Sequence, residues 1–213
     1  MKLYKETVSD LLWDFLVQLM KMEELVSFRL VGGTSLSLIL GHRISVDIDM
    51  FTDVEYEGID FPSIYKILKK KLPYISKEKW LNKTMGNSCF IGRDEEQIVK
   101  LDMFYTEPFV YPIIECEEVR ISSLEEIAAM KLEVISRGGR KKDFWDIHAL
   151  LEQFTLEDLL GFYEKRYPYG AAKEEVLLKL TSFEKADLDP GPNCLKGKHW
   201  ELIKIDIEEV VKS

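Results

Sequence analysis

The chain of 213 residues is short of several things, and each shortage excludes something. Cysteine occurs three times, at Cys89, Cys116 and Cys194, far apart and odd in number. No Cys-x-x-Cys spacing and no disulfide framework result, which fits a reducing cytoplasm. His42, His148 and His199 are equally scattered and lack zinc-ligand spacing, so structural roles are expected for them. No apolar run approaches the roughly 20 residues that span a bilayer. The start, Met1-Lys-Leu-Tyr-Lys-Glu, lacks a signal-peptide pattern. Positive charge is in deficit: 29 Lys and Arg face 38 Asp and Glu, a net charge of -9. Such a chain is no bulk electrostatic binder of nucleic acid or of an anionic membrane. Internal repeats and low-complexity linkers are also missing.

What is present suits one domain or two closely packed subdomains, since 46% hydrophobic residues suffice for a sizeable core. The first half reads as mixed α/β. Leu11, Leu12, Phe15, Leu16, Leu19 and Met20 recur at helical spacing over residues 9–25, with Ser9 or Asp10 as cap. Short strands are expected over 28–31, 47–52, 88–91 and 97–104, a buried helix over 34–40 and another helix over 61–72. Near Pro112 the character changes. Ser122 and Glu125 have capping-box spacing before a helix that runs to Arg137. Further helices are expected over 143–152, 155–167, 171–180 and 200–212. The expected organisation is α+β: an α/β core over 1–115 and a helical subdomain over 116–213.

The chemistry concentrates in Val31-Gly-Gly-Thr-Ser-Leu and in Val46-Asp-Ile-Asp-Met-Phe51. On a strand, Asp47 and Asp49 point to the same face. Two like charges among apolar neighbours are costly unless neutralised. A hard cation such as Mg²⁺, held through oxygen, is the simplest partner. Asp102, alternating with apolar residues on a later strand, adds a third carboxylate. Three such groups can hold metal ions that bridge a nucleoside triphosphate. Gly32, Gly33, Thr34 and Ser35 open a helix, whose free N–H groups suit phosphate.

Gly32 through Leu36, with His42-Arg-Ile-Ser-Val-Asp-Ile-Asp-Met-Phe51, resembles the first motif of the AbiEii-type nucleotidyltransferases, toxin-like members of the DNA polymerase β-like superfamily. Glu126 to Arg137, then Arg140-Lys-Lys-Asp-Phe-Trp-Asp-Ile147, resembles that family's later motifs. The resemblance implies a small nucleotidyltransferase sheet with flanking helices, followed by a helical half. It implies Asp47 and Asp49 as catalytic metal ligands, Thr34 and Ser35 with the Gly33 turn as triphosphate holders, Lys131 on nucleotide phosphate, Asp143 as a late active-site acid and Arg137 nearby. An NTP substrate, Mg²⁺, a tRNA or protein acceptor and a cognate antitoxin follow from the same likeness.

Plainer readings stand beside these. Asp143 also suits the start of a helix. Arg43 suits a loop charge, an ion pair or a phosphate contact. Lys131 rises from a largely apolar helix and is either solvated or functional. Arg137, Arg140, Lys141 and Lys142 form a basic turn that is either a solvated connection or an RNA-backbone contact. Phe144, Trp145 and Ile147 read as core. The acidic balance also leaves open a catalytically silent nucleotide-binding or protein-interaction module, or transfer to a cationic aminoglycoside-like molecule.

Overall fold

The computed structural model describes residues Met1 to Ser213 in two compact units. The first comprises Met1–Ile39 and Ser45–Ser122; the second comprises Leu40–Ile44 and Ser123–Ser213.

The first unit is built on a seven-stranded sheet: β1 (Arg29–Leu30), β2 (Asp47–Thr52), β3 (Tyr74–Ile75), β4 (Gly86–Gly92), β5 (Ile98–Tyr105), β6 (Ile113–Cys116) and β7 (Val119–Ser122). Their order is β3-β4-β5-β2-β1-β7-β6. The pairs β2/β5 and β1/β7 are parallel and the rest antiparallel. Three helices accompany the sheet: α1 (Asp10–Met20), α2 (Gly32–Leu40) and α3 (Phe61–Lys71).

Alternation decides which strand face is buried. On β2, Ile48, Met50 and Thr52 are buried while Asp47, Asp49 and Phe51 are only partly so. On β5, Val99, Leu101, Met103 and Tyr105 are buried, and Lys100, Asp102 and Phe104 take the other face. The buried set joins one core with Leu12, Phe15, Leu16, Leu19 and Met20 of α1. Each such side chain contributes roughly 1.5–3 kcal/mol on burial. Ser9 caps α1 by accepting from Leu12 N at 3.1 Å. Asp60 caps α3, and Lys69, Lys70 and Lys71 close it where the helix dipole favours cations.

The strands β6 and β7 were not expected from the sequence, nor was the short β3. The α/β architecture thus continues past residue 115, to the end of β7 at Ser122. The β6–β7 turn is made by Glu117 and Glu118, both with positive φ (47° and 70°). Glu117 is tied down by Lys5 Nζ at 2.7 Å and by Leu3 N at 3.1 Å.

The second unit is helical: α4 (Leu124–Ser136), α5 (Lys141–Leu151), α6 (Leu156–Arg166), α7 (Lys173–Leu180), α8 (Glu184–Asp187) and α9 (Trp200–Lys212). The α4 cap lies one residue later than the capping-box spacing suggests. Ser123 Oγ accepts from Glu126 N, because Ser122 is spent as the last residue of β7. Phe144, Phe183 and Trp200 meet edge to face with centroids 5.1, 6.0 and 5.7 Å apart, and Trp145 stacks on Trp200 at 6.3 Å. These aromatic residues are core, as expected. Glu126 of α4 and Arg166 of α6 form a fully buried ion pair. The segment 40–44 joins this unit through backbone bonds: Ile44 N to Asn193 O at 2.9 Å and Leu195 N to His42 O at 3.0 Å. No helix is long and apolar enough to cross a membrane.

Candidate active site

The non-core face of the first unit's sheet gathers the carboxylates. In the parallel β2/β5 register, Asp47 stands opposite Lys100, Asp49 opposite Asp102 and Phe51 opposite Phe104. Lys100 Nζ lies 2.6 Å from Asp102 Oδ2. That hydrogen bond holds the Lys100 pKa above the usual lysine value, and the charges of Asp102, Asp47 and Asp49 add to it. The next row carries Phe51 and Phe104, tilted against each other with centroids 5.9 Å apart. On β4, the same face presents Ser88 and Phe90.

The glycine turn comes directly to this face. Gly32 has φ +69°, a region that glycine reaches without strain. A Cβ built there would lie 2.7 Å from Asp49 Oδ2. The first turn of α2 and the Asp49 carboxylate are therefore in direct apposition, and the N-terminal N–H groups of a helix have no intrahelical acceptors. Val31 N donates to Asp49 O at 2.9 Å, which locks the turn to β2. We expect Gly32→Ala to lower the melting temperature by about 5 °C, since alanine in the left-handed region costs roughly 1–2 kcal/mol. It should also reduce turnover at least tenfold by pushing Asp49 aside. An unchanged melting curve with unchanged turnover would refute the apposition.

The hydroxyls of this turn serve differently from expectation. Thr34 is 1% exposed. Its hydroxyl donates to the Asp47 carbonyl and lies 2.8 Å from Ser45 Oγ. It holds the backbone beside Asp47 and has no hydrogen left for a phosphate. Ser35 is fully buried, with Oγ lacking a hydrogen-bond partner. Gly32 and Gly33 are the partly exposed residues of this turn, so their backbone N–H groups are the donors that a phosphate could reach.

Lys131, Asp143 and Arg43 meet within the second unit, around a residue that the sequence reading passed over. Asp146 is fully buried and receives Arg43 through two bonds, Nε at 2.7 Å and Nη2 at 2.9 Å. His42 Nε2 lies 2.8 Å away and Lys131 Nζ 2.6 Å away. Lys131 also bonds Asp143 Oδ1 at 2.7 Å. Burial alone would raise the Asp146 pKa, but Lys131 and Arg43, with the His42 bond, hold it well below the usual carboxylate range. Asp143 is held low by Lys131 against the same burial penalty, aided by Arg140 N at 3.0 Å. Burial would lower Lys131, yet Asp146 and Asp143 keep its pKa raised. Asp143 sits at the third position of α5, with Arg140 as the cap.

Arg137 is apart from this network, exposed and paired with Glu133 one turn back. Lys141 of the basic turn is buried: its Nζ donates to Asp189 O at 2.6 Å and its N to Asp189 Oδ2 at 3.0 Å, which pins the loop after α8. His148, bonded to Asp206 at 2.7 Å, is structural as expected. The signals for Asp146 were its spacing of three from Asp143 on one helix and the apolar setting of Lys131.

No group of three or more His, Cys, Asp and Glu side chains is arranged to hold a metal ion. The third carboxylate accordingly differs from the expectation of a three-aspartate cage, because Asp102 is engaged by Lys100. A two-carboxylate site still fits Mg²⁺, which keeps several waters and takes one or two carboxylates plus substrate phosphate oxygens. The apposition of Gly32 and Asp49 supplies that donor set, with backbone N–H groups beside a carboxylate.

Residues 14–212 match a family described as nucleotidyl transferase AbiEii toxin, type IV toxin–antitoxin system. An uncharacterised protein of Aquifex aeolicus is 29% identical over 199 residues, covering 87% of this chain and 86% of its own length. Among solved structures, a proposed nucleotidyltransferase from H. pylori superposes with a TM-score of 0.61 at 19% identity, covering 94% of this chain and 90% of that one. The Mycobacterium tuberculosis nucleotidyltransferase toxin MenT4 superposes with a TM-score of 0.54 at 13% identity, covering 92% and 83%. At these identities the structural likeness establishes the nucleotidyltransferase fold.

Proposed function

Because the chain belongs to the AbiEii family of nucleotidyl transferase toxins of type IV toxin–antitoxin systems, we propose that it moves a nucleoside monophosphate from an NTP to an acceptor hydroxyl, with Mg²⁺ held by Asp47 and Asp49. The apposition of Gly32 with the Asp49 carboxylate carries this reading. It puts free backbone N–H groups, which suit phosphate, against a metal-binding oxygen.

In this reading the acceptor hydroxyl oxygen forms a bond to the α-phosphorus and gives up its proton to solvent. The bond from that phosphorus to the bridging oxygen breaks, and pyrophosphate leaves with the electron pair. Mg²⁺, when bound, supplies charge stabilisation for the phosphate oxygens. The start of α2 orients the triphosphate through its N–H groups. Thr34 fixes the Asp47 backbone through its hydroxyl. Lys131, Asp143 and Arg43 act through the buried network around Asp146, which sets the shape of the second unit. The acceptor we propose is a hydroxyl of tRNA or protein, and a cognate antitoxin is the expected partner. The net charge of -9 favours recognition of an acceptor end over wrapping of a nucleic-acid backbone.

The test is incubation with each α-labelled NTP, Mg²⁺, total tRNA and candidate protein acceptors. Label transfer with pyrophosphate release is expected for the wild type and not for the Asp47→Ala, Asp49→Ala double variant. Equal labelling by both would end this assignment. Nucleotide binding without pyrophosphate release would mark a silent module, and label on a small cationic sugar would redirect the acceptor.

A further inference from the structure

Asp102 does not stand as a bare third carboxylate. Lys100 precedes it by two residues on β5 and so shares its face. The register pairs Lys100 with Asp47 and Asp102 with Asp49, so one ammonium lies in a two-by-two block whose other members are carboxylates. Its bond to Asp102 Oδ2 is 2.6 Å long, while Asp102 Oδ1 is buried and has no hydrogen-bond partner. With Lys100 protonated, the block carries two net negative charges, which a single divalent ion cancels. Without Lys100 it carries three, and a carboxylate with both oxygens uncommitted stands beside Asp49.

We propose that Lys100 is the resident cation of this cluster: it neutralises Asp102 and limits the face to one divalent ion at Asp47 and Asp49, where three bare carboxylates would draw two. This inference rests on the reading of Asp47 and Asp49 as metal ligands. Lys100 is then a positioning residue that acts through Asp102. Hard divalent cations gather on oxygen ligands in proportion to the charge offered, and a lysine head group supplies a cation without metal. The resemblance to known motifs assigns no part to Lys100; the β2/β5 register does.

Electron paramagnetic resonance of the full chain with Mn²⁺, alone and with non-hydrolysable α,β-methylene NTPs, tests it. Two ions in one site lie about 3.5–4 Å apart and couple magnetically, whereas a single ion gives the uncoupled six-line spectrum. The wild type should show one bound ion and no coupling. Lys100→Met should bind a second ion at least tenfold more tightly than the wild type and show the coupled spectrum, and Lys100→Arg should restore the single-ion spectrum. Lys100→Gln provides a second neutral variant if Lys100→Met does not fold. A coupled pair in the wild type overturns the proposal, as does a single ion in both neutral variants. Failure of the underlying site looks different: neither the wild type nor the neutral variants would retain Mn²⁺, and Asp47→Asn would change nothing.

Discussion

Replacing Asp49 by asparagine should reduce nucleotide transfer by roughly 10³-fold, whereas replacing Asp102 by asparagine should cost only about tenfold. The large figure follows from removing charge where the proposed metal and phosphate would meet, since Lewis-acid stabilisation is worth several kcal/mol and each 1.36 kcal/mol is about tenfold. Asp49 holds that position because β2 carries it to the first turn of α2, where Gly32 leaves room for its carboxylate. The smaller figure follows from the Lys100 bond, which already satisfies one oxygen of Asp102 with a protein cation. Initial rates of pyrophosphate release for the two variants measure the contrast, with melting curves to confirm folding. Equal losses would mean that Asp102 shares the metal with Asp49. A loss at Asp49 of less than tenfold would move the metal elsewhere.

The largest effect on stability should come from Asp146→Ala. Asp146 balances Arg43, His42 and Lys131 in a fully buried setting. Removing one partner of a buried ion network leaves uncompensated charge and costs about 3–5 kcal/mol. For a chain of this size that is a fall of about 10 °C in melting temperature. A fall under 2 °C would show that water reaches these groups in the native state. The same network makes stability depend on pH. Burial, with Arg43, lowers the His42 pKa from 6.5 despite its bond to Asp146. Its folded-state affinity for a proton is then below its unfolded-state affinity. On acidification the unfolded chain takes up that proton first, so native stability should decline as the pH falls below about 6.5. Asp146 adds a loss at lower pH still: its folded pKa is depressed, so its contribution is present above the unfolded carboxylate value and vanishes as the pH drops through the folded one. Melting curves between pH 8 and pH 2 would trace both limbs, the second only below the unfolded carboxylate value of 3.8, and His42→Gln should flatten the first.

The parts of the molecule that were legible in the sequence are those whose signal is local. Asp47 to Met50 alternates polar and apolar residues, and both the strand state and the carboxylate face follow from that period. Trp200–Lys212 is likewise a helix as read. The strands β6 and β7 were not legible, because their turn is made by Glu117 and Glu118 in the left-handed region without the Asn or Gly that usually announces one. Lys5 and Leu3, more than a hundred residues away, hold that turn. The candidate site divides the same way. Asp49 and Gly32 are near in sequence and were recognised. Asp146 looks like an ordinary helix acid until residues 42 and 43 arrive beside it from 104 and 103 positions upstream. Lys100 reads as a solvated strand lysine until the parallel register puts Asp47 across from it.

The loop between α2 and β2 carries a consequence for any attempt to divide this protein. Residues 40–44, the last residue of α2 and the start of the loop after it, are grouped with the helical body although the rest of α2 and all of β2 belong to the sheet body. Neither body is thus a continuous stretch of chain. Excising everything up to Ser122 would strip the helical remainder of His42 and Arg43 and leave Asp146 with Lys131 as its only cationic partner. The helical half, cut from the chain at Ser122, would therefore carry a buried carboxylate short of two of its partners.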